Sequence, residues 1–291
     1  MPKGRIIKAL SGFYYVESDN QIYQCKARGK FRKRDQKLLV GDFCEFSYEE
    51  GSDGYILSLS SRKNELVRPP ICNVDQALLV FSAKEPDFSS ILLDRFLIMI
   101  EAFDIDPIIC VSKMDLSQKD EIENQLRPYQ KAGYKVIYVS SKDKIGLEEV
   151  KKILKDKVTV ITGQSGVGKS SLLNALDIHL NIDTNQISKA LGRGKHTTRH
   201  VELIKMYGGY VGDTPGFSSL ELTQEPLELA KAYHDFRELS HSCKFRGCLH
   251  DSEPYCAVKE AVEVGKISKE RYDHYLMFLK EVKENKEKKY G

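Results

Sequence analysis

The sequence predicts a mixed α/β core, preceded by a small β-barrel and followed by a helical, metal-stapled segment. Three observations carry this. From Arg5 to about Leu59 the apolar residues come in short, often alternating runs punctuated by glycine. From Val74 onward, short apolar runs alternate with helical segments. After Asp213 the strand-like runs stop, and three cysteines gather near a histidine.

Residues 1–62 read as an OB-like barrel of four or five short strands, with Gly12, Gly29, Gly41-Asp42 and Gly51 at turns and Tyr55, Leu57 and Leu59 as an example of alternation. One loop, KARGKFRKRDQK, sets Lys26, Arg28, Lys30, Arg32, Lys33, Arg34 and Lys37 against the single acid Asp35. Loops and open faces of such barrels commonly bind nucleic acid, so this run is the expected RNA-binding surface; a plain solvated loop is the blander reading. Residues 63–73, with Arg68-Pro69-Pro70, break any regular element and read as a linker. Over 74–222 the runs QALLVF, PIICVS, KVIYVS and KVTVIT alternate with SSILLDRFLIMIEAF, KDEIENQLRPYQKAG and GLEEVKKIL, the βαβ signature of a buried parallel sheet. Residues 223–291 read as a third domain, with helices over EPLELAKAYHDF, AVKEAVEVGK and KERYDHYLMFLKEVKEN around the Cys/His cluster. Its tail mixes Glu with Lys at helical spacing, the pattern of a solvated helix.

Hydrophobic residues make up 41% and charged residues 30% of the chain, which excludes a disordered acidic chain and a fibrous protein. No apolar run approaches the roughly 18 residues of a membrane helix, and the N-terminus lacks a signal peptide's apolar stretch, so a cytoplasmic protein without a membrane partner is expected. The net charge of +3 is too small to imply a nucleic-acid partner, so its uneven distribution carries that expectation. Of seven cysteines, Cys25, Cys44, Cys72 and Cys110 lie scattered among apolar residues, which argues against a disulfide framework.

Gly163-Gln164-Ser165-Gly166-Val167-Gly168-Lys169-Ser170 satisfies G-x-x-x-x-G-K-[ST] between the strand KVTVIT and the helix KSSLLNAL, which also holds Ser171. In such a loop the backbone N–H groups wrap phosphates, Lys169 reaches the β- and γ-oxygens, and Ser170 is placed to ligate Mg²⁺. Asp213-Thr214-Pro215-Gly216 follows the strand YVGD and offers an acid for the Mg²⁺ shell and a glycine N–H for a γ-phosphate. Between them Lys195-His196-Thr197-Thr198-Arg199 reads as a loop that closes over the γ-phosphate, with Thr198, or else Thr197, as a second Mg²⁺ ligand. Ser112-Lys113-Met114-Asp115 ends the strand PIICV; Asp115 can accept from both N1–H and the 2-amino group of guanine, donors that adenine lacks. Ser140-Ser141-Lys142, after KVIYV, is placed to meet the guanine O6 through backbone N–H groups.

Cys243, Cys248, His250 and Cys256 supply a Cys₃His donor set within fourteen residues, suited to one closed, structural Zn²⁺ site; His241 is the alternative histidine. Such a metal would replace a hydrophobic core that so short a domain cannot build.

Both base-reading motifs precede the phosphate loop, an order that implies circular permutation of a P-loop GTPase. That order, together with NVDQALLVFSA, LLDRFL and KHTTR and the two flanking domains, resembles the ribosome small-subunit-dependent GTPase A family, RsgA, over essentially the whole chain. The resemblance implies an α/β, circularly permuted GTPase domain between an OB-like barrel and a zinc-binding helical domain. It also implies slow GTP hydrolysis stimulated by the small ribosomal subunit, a role late in that subunit's maturation, contacts to its rRNA, and a monomer. His196 matches a position implicated in hydrolysis in that family. Two positions depart from the common GTPase pattern: Ser112 stands where Asn is usual, removing a bracing amide, and Phe217, as in this family, stands where many GTPases keep a water-orienting Gln. Gly166 replaces the Asn that would hold a potassium ion, so no potassium dependence is predicted. The chain also runs from Asp213–Gly216 almost directly into the last domain, which suggests that nucleotide state reorients it. An ATPase or kinase bearing an RNA-binding barrel, and a nucleotide-switched RNA-binding protein without hydrolysis, are the competing readings.

Overall fold

The computed structural model describes residues 1–29, 31, 36–66, 69–177, 180, 201–213, 221–222 and 224–290, with backbone only at 213 and 288–290. By compactness the chain divides into two units, Met1–Ala77 with Leu147–Thr162 and Lys169–Phe217, and Leu78–Gly146 with Gly163–Gly168 and Ser218–Gly291.

β1 (Lys3–Leu10), β2 (Phe13–Ser18), β3 (Gln21–Ala27), β4 (Phe43–Ser47) and β5 (Gly54–Leu59) form a closed barrel in the order β1-β2-β3-β5-β4. The first two connections are two-residue turns, Ser11-Gly12 and Asp19-Asn20, with φ positive at all four residues; that geometry matches the twist of antiparallel strands. Among the described residues of the barrel only β3 and β5 pair in parallel, and β4 closes it by pairing antiparallel with both β5 and β1. Ile6, Val16, Cys25, Phe31, Leu38, Cys44, Phe46 and Ile56 fill the interior.

The alternation expected in β5 is broken. Glu45 pairs with Ser58 but Phe46 with Ile56, so Leu57 is an extra residue; Ile56 and Leu57 are both buried while Tyr55 is exposed. Ile7 is the extra residue in β1, again giving two consecutive buried side chains. Such bulges bend a strand and shift its inward phase, which helps a short sheet close on itself.

The segment after the barrel is not without regular structure. β6 (Glu65–Leu66) and β7 (Ile71–Cys72) pair antiparallel. Arg62 grips the fully buried Asp42 carboxylate with Nε at 2.7 Å and Nη2 at 2.8 Å, while Asp42 also accepts Leu39 N–H. Gly41 has φ +97°, and a Cβ there would lie 2.0 Å from Cys72 O. Long-range hydrogen bonds thus hold a proline-containing segment that local propensity leaves undefined.

A six-stranded sheet follows, in the order β10-β9-β8-β11-β13-β12, from β8 (Gln76–Ser82), β9 (Asp106–Ser112), β10 (Lys135–Tyr138), β11 (Val158–Thr162), β12 (Leu203–Met206) and β13 (Gly209–Asp213). β9 and β10 are parallel, as are β11 and β13, while β12 runs antiparallel to β13. Every residue of β8 and β11 is buried, as strands covered on both faces require. The connecting helices are α1 (Ser90–Glu101), α2 (Lys119–Lys131), α3 (Leu147–Leu154) and α4 (Lys169–Leu176). Within the first unit the barrel docks on β12 and β13. Glu17 accepts from Lys205 Nζ at 2.7 Å and Tyr210 OH at 2.8 Å, Lys8 pairs with Glu202 at 2.9 Å, and the Arg5 guanidinium lies over Tyr210 at 5.0 Å.

The C-terminal region holds α5 (Pro226–Leu229), α6 (His234–Ser240), α7 (Ala257–Glu263) and α8 (Lys269–Tyr290). The helix expected over EPLELAKAYHDF is therefore two short helices. Buried Ala230, Ala232 and Tyr233 lie at the break and serve packing rather than continuity. α8 is keyed to α1 by charge. Asp94 is fully buried and receives Arg271 Nε at 3.2 Å, His274 Nδ1 at 2.7 Å and Tyr129 OH at 3.2 Å; Arg95 forks onto Glu281, about two turns beyond His274 on α8. Arg271 also reaches Asp235 at 2.6 Å and sits over the rings of Tyr129, Tyr134 and Tyr233. Asp94 and Arg95 belong to LLDRFL, whose purpose is not legible from the motif alone. Among the described residues no helix is long and apolar enough to cross a membrane.

Candidate functional site

The phosphate loop leaves β11 and enters α4. Gly163 has φ +145° and a Cβ there would lie 2.1 Å from Val80 O, so only glycine lets the loop turn against β8. Val167 is buried and anchors the loop, while Gln164, Ser165 and Gly166 are exposed. Gly168, at φ +90°, leads into Lys169 and Ser170 in the first turn of α4, with Ser171 half-buried behind them. Ser170 Oγ is buried and meets no hydrogen-bond partner among the described residues. An orphaned hydroxyl at that place fits a hard divalent cation, which takes oxygen ligands, so Mg²⁺ suits the residues present.

The two loops expected to read the base, Ser112–Asp115 and Ser140–Lys142, lie in the same compact unit as Gly163–Gly168. Ser112 is buried at the end of β9, its hydroxyl within reach of Val167 O and 3.1 Å from Phe81 O; with one proton it donates to one carbonyl at a time. The loss of the usual amide at this position therefore does not leave the phosphate loop untied. Lys113 adopts φ +56° and its Nζ donates to Glu85 O. Met114 N–H donates to Val139 O at 3.2 Å. Asp115 is exposed, open to a ligand, and Ser140 Oγ lies 3.0 Å from its Oδ1. The Ser140 hydroxyl is also 3.0 Å from Asp143 Oδ2 and accepts Asp143 N–H at 3.1 Å. Its backbone exchanges both hydrogen bonds with Ile145, closing a tight loop that leaves Ser141 half-buried and Lys142 exposed. Gly146 makes that closure possible, since a Cβ would lie 2.1 Å from Tyr138 O.

β13 runs beside β11 with Asp213 level with Ile161. The Asp213 side chain and Gly216 lie outside the described residues, as do His196, Thr197, Thr198 and Phe217. Of the basic run, Lys30, Arg32, Lys33 and Arg34 also lie outside them. Lys26, Arg28 and Lys37 are described. Lys26 pairs with Asp53 at 2.8 Å and its ammonium lies 5.0 Å from the Phe13 ring centre, so it is not a bare cation. Lys26 and Lys37 border a hollow of about 540 Å³ beside Phe13, Tyr14 and Phe31.

Cys243, Cys248, His250 and Cys256 converge, with one donor atom from each within 4.8 Å of the others. His250 Nδ1 lies 3.4 Å from Cys256 Sγ and 3.7 Å from Cys243 Sγ, and the two thiols are 3.9 Å apart. His241 caps α6, exposed and outside this quartet. Burial pushes the Cys248 thiol up to about 12 and raises Cys256, while it lowers His250 and so keeps the imidazole neutral. Three sulfurs and one imidazole nitrogen brought so close together are the donor set of a closed tetrahedral site, which Zn²⁺ fits. The support around it was not visible in sequence. His250 sits at φ +56°, while Glu253 accepts Leu249 N–H at 2.8 Å and Asp251 N–H at 3.0 Å, and Tyr272 OH donates to His250 O at 2.6 Å. Only the S/T/D/E-rich turn after Cys248 hints at such capping.

The described cysteines form no disulfide. A phosphate loop between β11 and α4, reached in the chain only after both base-reading loops, defines a circularly permuted P-loop GTPase. The model of the RsgA GTPase family matches residues 59–223 and that of the RsgA N-terminal domain residues 3–56. The chain is 55% identical to the small ribosomal subunit biogenesis GTPase RsgA of Shouchella clausii over 290 residues, 98% of this chain and 99% of that one. It is also 55% identical to the RsgA of Bacillus subtilis over 295 residues, with the same coverage. Among solved structures it resembles the circularly permuted GTPase YloQ, at TM-score 0.85 and 51% identity over 98% of this chain and 96% of that one. YjeQ from Thermotoga maritima matches at TM-score 0.83 and 38% identity, over 97% of this chain and 98% of that one. This chain belongs to the RsgA GTPase family.

Proposed function

We propose that this protein binds Mg²⁺·GTP, hydrolyses it when docked on the small ribosomal subunit, and acts in the cytoplasm, as a monomer, late in that subunit's maturation. The observation that carries the reading is the pair of hydroxyls around the nucleotide site: Ser140 Oγ lies 3.0 Å from Asp115 Oδ1, between the two base-reading loops, and Ser112 Oγ lies within reach of Val167 O in the phosphate loop. A carboxylate fixed in that way accepts two guanine donors and would be left unpaired by adenine. The relatives' names, small ribosomal subunit biogenesis GTPase, support the partner.

Lys169 would neutralise the β- and γ-oxygens, with Ser170 and Thr198 as protein ligands of the ion and Asp213 in its outer shell. Bound Mg²⁺ supplies electrostatic stabilisation of charge that develops on the transferred phosphoryl group. Gly216 N–H would sense the γ-phosphate. Phe217 cannot orient water, so His196 takes that part once the protein is docked on the subunit. Arg28 and Lys37, with Lys26 when it exchanges Asp53 for a phosphate and with Lys30, Arg32, Lys33 and Arg34, would contact rRNA through residues 1–62. Residues 63–73 connect this barrel to the GTPase domain, 74–222, and one structural Zn²⁺ would staple 223–291.

GTP hydrolysis measured with and without purified small subunits, with ATP in parallel, tests the whole reading. Stimulation specific to GTP is expected, and His196→Ala should abolish most of it at nearly unchanged GTP affinity. Turnover of ATP instead would overturn the role given to Asp115, and equal turnover with and without subunits would remove the partner from the mechanism.

A further inference from the structure

Asn124, Arg127 and Lys131 are spaced so that they share one stripe of α2, opposite its buried Ile122, Leu126 and Tyr129. That stripe borders a cleft of about 240 Å³ whose other wall is the turn between α7 and α8, carrying Lys266 and Ser268. The turn is held in place. Gly265 ends α7 at φ +72°, Lys266 N–H donates to Ala261 O at 2.8 Å, and Ile267 is buried beneath it.

Three cations therefore converge on one concavity, and among the described residues lining it none is acidic. Neighbours on the same helices are neutralised, Lys119 by Glu123 and Lys269 by Asp273, whereas Arg127, Lys131 and Lys266 pair with no carboxylate among the described residues. Lys131 has an ordinary reason to stand in the last turn of α2, where a cation meets the helix C-terminus. Arg127 one turn earlier adds like-charge repulsion on the same stripe, and Lys266 adds a third charge from another element. An arrangement that gathers positive charge beside a side-chain amide and a hydroxyl is complementary to an anion with several oxygens. The cleft is smaller than the usual small-molecule pocket, so it takes a phosphate group rather than a whole nucleotide.

We propose that this cleft binds a phosphate of the RNA backbone, a second anchoring point separate from the barrel and from the nucleotide site. The choice of RNA over free phosphate rests on the subunit-docking reading above. The test compares the full-length protein with the Arg127→Gln, Lys131→Gln, Lys266→Gln triple variant, whose changes lie on exposed positions. Basal GTP hydrolysis should be unchanged. Binding to small subunits over a salt series should weaken at least tenfold near physiological salt, and the slope of log affinity against log salt should become shallower by about 1, the amount one phosphate contact carries. Equal affinity and slope for the two proteins would overturn the inference. So would inorganic phosphate binding that the variant abolishes while subunit binding stays intact, which would assign the cleft to free phosphate. A short RNA hairpin serves as a second probe: failure of the wild type on subunits would sink the docking reading, while the hairpin comparison would still decide the cleft.

Discussion

Asp94→Asn is the perturbation whose outcome the structure defines most sharply. The carboxylate is fully buried, and Arg271, whose side chain is 2% exposed, depends on it for one of two anionic partners. Breaking a buried ion pair by removing one partner costs about 3–5 kcal/mol, because the remaining charge has lost its compensation. Asp235 still holds Arg271 Nη1 at 2.6 Å, and an amide still accepts a hydrogen bond, so about 3 kcal/mol is expected. At about 2–4 °C per kcal/mol for a chain of this class, the melting temperature should fall by about 6–12 °C. Differential scanning fluorimetry with saturating GDP reads the shift, and hydrogen exchange should localise the loosening to α1 and α8. Arg271→Met in the same molecule removes the stranded charge and should recover much of the loss. A melting temperature within about 2 °C of wild type, or additive effects of the two changes, would refute the hub. If the hub holds, nucleotide-driven movement of the C-terminal helices has to carry α1 with it.

Ser112→Ala should weaken GTP and GDP binding about five- to tenfold, since a buried carbonyl of the phosphate loop loses its donor; Ser112→Asn, with two N–H groups for two carbonyls, should restore it, and unchanged affinity in Ser112→Ala would remove the hydroxyl from the site. Cys248→Ala, or a strong chelator, should lower bound zinc from about one per chain and expose the α6–α7 segment to proteolysis; full protection without metal would show that the quartet is not a structural centre. Stability should fall as pH rises from about 6 to 7.5. Burial pushes the Glu101 carboxyl up to about 7, so the folded state keeps a proton that the unfolded state releases above its ordinary 4.5, and the associated loss accumulates up to about pH 7. His274, raised by its bond to Asp94, adds a loss in the same direction as pH climbs through its folded value, while Glu281, lowered by Arg95, matters only in more acid solution. Denaturant midpoints measured across that range should show the decline, and Glu101→Gln should flatten its lower part; a rising curve would contradict both assignments.

The nucleotide motifs and the metal quartet were legible because their chemistry is set by covalent spacing. A phosphate loop needs its glycines, Lys169 and Ser170 within eight residues, and Cys243 to Cys256 can fold around one ion within fourteen. The permuted order was legible for the same reason, since motif order is a property of the chain itself. Other features escaped because they are decided through space. Bulges at Ile7 and Leu57 shift the inward phase of β1 and β5, and period-2 reading has no means to detect an inserted residue that only the partner strand reveals. The contacts to Glu17 from Lys205 in β12 and Tyr210 in β13 join segments more than 180 residues apart. The same holds for Asp94 with Arg271, a pair separated by 177 residues, and for Ser112 with Val167. Local sequence thus determined which groups could bind nucleotide and metal. The tertiary structure alone decided which buried charges and hydroxyls hold those groups in place, because a buried polar atom must find its partner wherever the packed chain brings one.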